Sequence, residues 1–190
     1  MESQRYAFKI EVAALCDVPS ADFILFFHRM IQEGGVKWEV PIDVTDYSHV
    51  PDGPGVMLIC HEAHYSTDRG GGRLGLRCAT KRGASGSAAD RIRWVIGKTL
   101  RMAAAMEAHE VLRGRVSFNT SAVTLWVEDR LVAPNDEATY RELAPVTAEV
   151  VGGAWGYPPK ISHGGPGKEC LRIEIATPER PAISEILARL

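Results

Sequence analysis

The segment that decides the fold is IDVTDYSHVPDGPGVMLICHEAHYSTD, which runs from Ile42 to Asp68. A turn is expected at its prolines and glycines, because proline fixes the backbone angles and glycine adopts left-handed ones. The apolar run Val56–Cys60 follows without alternation, which is typical of a strand covered on both faces. Three of the six histidines and two of the five tyrosines surround this run. We therefore predict a central strand over residues 56–65 with polar side chains at its carboxyl end.

Outward from this segment, the patterns predict further strands and helices. Residues 6–12 alternate between apolar and polar, which indicates a strand with one buried face. Apolar residues at helical spacing follow Ser20, which indicates a helix that begins there and ends at Gly34 and Gly35. Residues 68–72 are expected to form a hairpin loop that leads into a strand over residues 73–82. In the extended region 116–127 the apolar residues change parity between Phe118 and Val123, which indicates a turn or a bulge, and a hairpin is the simpler interpretation. Later elements are a helix over 134–152, a strand over 171–175 and a short terminal helix from Pro181.

The longest helix is predicted over about residues 87–113. Ser87 and Asp90 have the spacing of a capping box, with Asp in place of the usual Glu. An apolar stripe follows at helical spacing: Ile92, Ile96, Leu100, Ala103 and Met106. Adjacent strands with interspersed helices indicate an α+β fold, in which a mixed or antiparallel β-sheet is layered with helices.

Length and charge limit the possible classes of protein. A chain of 190 residues with 45% hydrophobic residues fits a single domain over residues 1–190. The formal net charge is -2 and no basic block is present, so we expect no nucleic-acid partner. No apolar run approaches the ~18 residues of a membrane span, and the first residues lack the layout of a signal peptide. We therefore expect no membrane partner and a cytoplasmic location.

The four cysteines are Cys16, Cys60, Cys78 and Cys170. They are far apart in the sequence and form no CxxC pair, the spacing that zinc ribbons and thioredoxin-like proteins use. We expect free thiols, most of them buried.

Acid–base chemistry is the first hypothesis for the histidine-rich segment. Alternation along a strand puts His61 and Tyr65 on one face and Glu62 with His64 on the other. His61 is the candidate acid or base, because an unperturbed imidazole titrates near neutral pH. Tyr65 or Tyr47 would donate a hydrogen bond to a developing oxyanion, and Asp43, Asp46 or Asp68 would orient the imidazole.

Ligand contacts are also expected from Tyr47, His49, Glu62 and His64. A metal site is the competing hypothesis, since imidazoles and a carboxylate hold Zn²⁺ or Fe²⁺ in many proteins. However, His61 and His64 lie three apart and point to opposite sides of a strand, unlike the histidines of a helical HExxH motif. We therefore assign no metal ligand, and no motif identifies a cofactor.

Three functions remain open at this point. The protein is either a small-molecule-binding domain or metal-independent enzyme with its site at the end of strand 56–65, or a homo-oligomeric structural module without catalysis. In the second case the long helix would form the subunit contact. A metal-binding protein is the third possibility.

The motif DYxHVPxGPGxxLxxHE begins at Asp46 and ends at Glu62. With the later segments GGRLGL and VEDRLVAPND, it resembles an uncharacterised family of bacterial proteins of about this length. The resemblance covers most of the chain and implies a shared fold, but no activity. The chain departs from the family pattern at His64, where an acidic residue is expected.

Overall fold

Eight strands and four α-helices make up the part of the chain that the computed structural model describes, which is residues 5–14, 17–81, 85–165 and 167–190. The strands are β1 (Tyr6–Val12), β2 (Pro41–Tyr47), β3 (Gly55–Cys60), β4 (Ala63–Asp68), β5 (Gly75–Thr80), β6 (Phe118–Val127), β7 (Lys160–His163) and β8 (Leu171–Ala176). The helices are α1 (Ser20–Gln32), α2 (Ala88–Ala108), α3 (Glu137–Trp155) and α4 (Ile183–Arg189).

The strands form one sheet in the order β2-β3-β4-β5-β1-β6-β8-β7. Every neighbouring pair is antiparallel. The α+β class predicted from the sequence is therefore confirmed, with an antiparallel sheet. Strands β2 and β7 lie at the two edges.

The two faces of the sheet differ in what covers them. Along β1, Tyr6, Phe8 and Ile10 are buried in a hydrophobic core to which all four helices contribute. Helix α2 packs on β1 and β5, α1 on β2 and β3, and α3 on β7 and β8. Lys9 and Glu11 alternate with these residues and belong to the opposite face. We call that opposite face, which none of the four α-helices covers in the described residues, the open face.

Helix α2 begins with the predicted capping box. The Ser87 hydroxyl accepts a hydrogen bond from the Asp90 backbone at 3.2 Å, and the Asp90 carboxylate accepts one from the Ser87 backbone at 2.9 Å. The helix ends at Ala108, before the predicted end near residue 113, because His109 has an extended ψ angle of 137°. Only three residues of the helix are exposed: Asp90, Arg101 and Ala108. Most of α2 is therefore enclosed by the sheet and the other helices.

The predicted hairpin over residues 116–127 is wrong. A single strand, β6, occupies this region and pairs with β1 through a register shift. Ile10 lies opposite Val123, whereas the next residue, Glu11, lies opposite Asn119. This bulge changes which residues face the core, and it explains why the apolar residues of the sequence change parity between Phe118 and Val123.

Two other expectations concern membranes and thiols. None of the described helices combines the length and the apolar character that crossing a membrane requires. Cys60, Cys78 and Cys170 are free thiols, as expected, and the first two are buried. Cys16 lies outside the described residues.

Replacing Ser87 by Ala should lower the free energy of unfolding by about 1 kcal/mol, because the first turn of α2 loses its cap. Urea denaturation measures the change. Ser85, which is exposed and two residues earlier, provides the control, and its replacement by Ala should change stability by less than about 0.5 kcal/mol. Equal effects of the two substitutions would mean that the capping box is not stabilising.

Candidate functional site

The chain reverses direction at His61 and Glu62, which link β3 to β4. The predicted single strand over residues 56–65 is therefore wrong. The backbone N–H of His61 donates to the Val40 carbonyl at 2.9 Å, and the backbone carbonyl of Glu62 accepts from the backbone N–H of Lys81 at 2.8 Å. Because a turn now separates His61 from Tyr65, strand alternation no longer puts these two residues on one face.

Tyr65 and His61 have opposite environments. Tyr65 has no exposed surface, and its hydroxyl accepts a hydrogen bond from the Trp38 ring nitrogen at 3.2 Å. Burial raises the pKa of Tyr65 well above its ordinary value, so its proton is firmly held. His61 is exposed in the turn. The predicted pair therefore consists of one residue in the core and one in solvent.

Two of the predicted partner carboxylates, Asp46 and Asp68, lie toward the ends of their strands that are far from the turn. Asp46 lies opposite Val56, four residues from Cys60 or about 13 Å along β3 at ~3.3 Å per residue. Hydrogen bonds from the side chain and the backbone of Ser48 lower the pKa of Asp46. Asp68 ends β4 and pairs with Lys9 at 2.6 Å. Neither carboxylate is placed to orient the His61 ring.

Tyr47 and His49 flank the start of the turn that precedes β3. Their ring centroids lie 6.3 Å apart, and both side chains are exposed. Of the eight predicted site residues, Tyr47, His64 and Asp68 share the open face by strand register. His61 and Glu62 lie in the turn, and Tyr65 lies in the core.

Behind the turn is a buried charged group that the sequence analysis missed, and we call it the Lys98 cluster. The Lys98 ammonium donates to Glu39 at 2.7 Å, to Glu62 at 2.9 Å and to the Trp38 carbonyl at 3.3 Å. It also lies 4.6 Å from the centre of the Trp94 ring. The Glu39 side chain has no exposed surface, whereas that of Glu62 is 52% exposed. The cluster therefore ties α2 to the turn.

The electrostatics of this region favour structure over catalysis. Burial opposes the positive charge of Lys98, but the hydrogen bonds and charges of Glu39 and Glu62 outweigh it and raise the pKa of Lys98. Burial raises the pKa of Cys60 to about 12 and that of Cys78 to about 12. A charged lysine and two protonated thiols are poor nucleophiles at neutral pH.

One signal in the sequence points to the Lys98 cluster. Lys98 follows Val95 by three positions and precedes Met102 by four, and both of these residues are buried. A lysine at this spacing lies on the apolar face of an amphipathic helix. Because a buried lysine requires a partner, its position alone predicts an acidic residue nearby.

The open face carries charged side chains in pairs. Arg73 pairs with Glu11 at 3.1 Å, and Arg172 pairs with Glu174 at 3.3 Å. The Lys9 ammonium binds Asp68 and also donates to the carbonyls of Gly70 and Arg73 at 3.0 and 2.9 Å, which fixes the loop between β4 and β5. These contacts leave the face with nearly balanced charge.

A tryptophan forms part of the same surface. The Arg77 guanidinium lies 5.5 Å from the centre of the Trp126 ring and pairs with Glu128. Beside this ring is a cavity of about 380 Å³, here called the Trp126 cavity, which is lined among others by Lys9, Arg77, Thr124, Trp126, Arg172 and Glu174. An adjoining cavity of about 300 Å³ shares Glu11, Arg73, Thr124 and Glu174 with it.

His64 is the predicted site residue with an unusual environment. It lies opposite Ala79 on the open face, and its Nδ1 atom is buried without a hydrogen-bond partner among the residues that the structure describes. Burial first, and then the charge of Lys81, lowers the pKa of His64. At neutral pH its imidazole is therefore uncharged.

Among the residues that the structure describes, no three His, Cys, Asp or Glu side chains come together in a group that would hold a metal ion. The acidic and imidazole groups are divided between the turn and the far ends of the strands, and this separation explains why no such group forms there.

No protein-family model, curated protein or solved structure matches this chain. The resemblance to a bacterial family therefore stays a prediction.

Replacing Lys98 by Met should lower the free energy of unfolding by about 3–5 kcal/mol, because Glu39 would be left in the core without a compensating charge. Guanidinium denaturation measures this loss. Arg101→Met is the matched control, since Arg101 is exposed one turn later on the same helix, and it should cost less than about 0.5 kcal/mol. Similar losses in both variants would exclude a stabilising role for the Lys98 cluster.

The stability that Lys98 contributes should also depend on alkaline pH. A pKa that is raised on folding means that the contribution is complete below the pKa of the unfolded chain, ~10.4, and is lost as pH rises through the folded value. The difference in unfolding free energy between the wild type and Lys98→Met should therefore be constant from about pH 8 to 10 and shrink above that range. A difference that grows with alkaline pH would contradict the assigned charge state.

Proposed function

We propose that the protein binds a small molecule that carries both a carboxylate and an ammonium group, such as an amino acid or a dipeptide, on the open face. The observation that carries this proposal is the Trp126 cavity, where an aromatic ring adjoins cationic and acidic side chains. Its volume of about 380 Å³ falls in the range of ~300–1,000 Å³ that is common for small-molecule sites.

The charges that remain accessible determine the class of ligand. Lys9 is saturated by its three acceptors and is only 3% exposed. The side chain of Arg73 is 73% exposed, so its guanidinium group is available to a carboxylate, whereas that of Arg172 is 42% exposed and also donates to the Gly164 carbonyl at 2.9 Å. Glu174, with a side chain that is 51% exposed, is available to an ammonium group.

The balance of these charges favours a zwitterion over a simple anion. Each arginine already has an acidic partner, and an anion would have to compete with that partner for the guanidinium. A ligand with both charges contacts an arginine and a glutamate together and leaves neither without compensation. The Trp126 ring offers an apolar wall for the remainder of the molecule.

Binding is proposed in preference to acid–base catalysis at the turn. His61 and Tyr65 do not share a surface, and the buried thiols and Tyr65 hold their protons. A subunit contact on α2 has little support, since only Asp90, Arg101 and Ala108 of that helix are exposed.

A panel of the common amino acids and their dipeptides, screened by saturation-transfer NMR and then by calorimetry, should contain at least one ligand. Thr124→Trp, which places a bulky ring in the lining of the Trp126 cavity, should weaken its binding by at least about tenfold, equivalent to ~1.4 kcal/mol. His61→Ala should bind it with unchanged affinity.

Two results would overturn the proposal. One is the absence of binding by any member of the panel. The other is a loss of binding in His61→Ala with full binding in Thr124→Trp, which would return the site to the turn. Thermal denaturation of both variants would show that each is folded.

A further inference from the structure

Exposed apolar side chains are concentrated at one edge of the sheet. In the described residues seven large hydrophobic side chains are exposed, and four of them lie on or beside β2: Val40, Ile42, Tyr47 and Val50. A fifth, Leu25, belongs to α1, the helix that packs on β2. Val40 and Ile42 are 65% and 62% exposed. Scattered exposed apolar residues are ordinary, but a concentration on one edge strand is a recognised feature of interaction sites.

The backbone of β2 has room for another strand. Because β2 is a terminal strand and pairs only with β3, one of its sides has no partner strand. Its pairing with β3 is irregular between Pro41 and Asp43 but continues in register from Asp43 to Tyr47. The regular portion is therefore the part that a further strand would extend.

The other edge of the sheet is covered. Strand β7 has four residues, and the Tyr140 hydroxyl of α3 donates to the Ile161 carbonyl at 3.4 Å. The ring of His163, the last residue of β7, stacks on that of Tyr140 with centroids 4.8 Å apart. Natural proteins protect sheet edges in this way, and β2 has no comparable cover among the described residues.

The charge of the β2 edge is negative. Residues 40–50 contain Asp43 and Asp46 and no lysine or arginine. Both carboxylates are exposed, and within the described part of the chain neither forms an ion pair. Asp43 accepts a hydrogen bond from the Val44 backbone, and Asp46 accepts from Ser48. The edge thus presents acidic groups next to apolar ones.

From these observations we infer that β2 accepts an extended segment of another protein as a ninth strand, and that this segment alternates apolar residues with Lys or Arg. Backbone hydrogen bonds would supply affinity. By strand register Asp43 lies on the open face, whereas Val44 and Asp46 lie on the opposite face, so Asp43 would select a basic residue on one face of the segment and Val44 an apolar residue on the other. A second copy of the chain is a poorer occupant, because self-pairing would bring four carboxylates onto one short ladder.

The probe is the acetylated and amidated peptide KIKVKIK, with EIEVEIE as its acidic counterpart. In ¹⁵N-labelled protein, KIKVKIK should shift the amide signals of β2 and β3, and its affinity should fall as salt rises. EIEVEIE should bind at least about tenfold more weakly, because like charges would face each other across the ladder.

A charge reversal makes the assignment specific. Asp43→Lys should lose affinity for KIKVKIK by at least about fivefold, or ~1 kcal/mol, and gain affinity for EIEVEIE. Glu149→Lys, an exposed site on α3, changes the net charge equally and should leave both affinities unchanged. Both substitutions are at exposed positions, and the amide spectrum reports whether each variant is folded.

Three outcomes would overturn the inference. Equal binding of both peptides would exclude charge selection, and signal changes outside β2 and β3 would exclude this edge as the site. A dimer in light scattering that Asp43→Lys alters would assign the edge to a second copy instead. None of these outcomes bears on the Trp126 cavity, so the two proposals fail independently.

Discussion

One face of the eight-stranded sheet has to be shielded from water, and α2 meets this requirement at the middle of the sheet by packing on β1 and β5. Helix α3 contacts α2 and covers β7 and β8, while α1 covers β2 and β3. With the helices used on that face, the opposite face is left to solvent. Charged side chains such as Lys9, Arg77 and Glu174 therefore alternate with the core residues, and the proposed ligand site lies among them.

The cover of the sheet is coupled to the histidine segment through Lys98. This residue occupies an apolar position of α2, and its charge is balanced by Glu39 and Glu62 at the turn between β3 and β4. A buried ion pair of this kind contributes little net stability compared with apolar residues of the same size, but it is sensitive to the loss of one partner. The polar groups near His61 thereby have a structural explanation that does not require catalysis.

Local patterns predicted much of the fold and little of the candidate site. The alternation in β1 and the capping box at Ser87 depend on neighbours in sequence, so they were predicted correctly. The turn at His61 and Glu62 was missed because it lacks the glycine, asparagine or proline that marks most hairpin turns. In β6 the change of parity was visible, but a hairpin and a bulge both produce it, and only pairing with β1 distinguishes them.

The sequence by itself determined the α+β class, most of the elements and the absence of a close cysteine pair, because these properties follow from residue spacing within a few turns or strands. Tertiary structure decided which distant side chains meet. Lys98 contacts Glu39 across 59 positions, and Arg77 meets Glu128 across 51. Such contacts depend on how strands far apart in the chain pair and on which face each residue then occupies, and a shift of one residue would reverse every face.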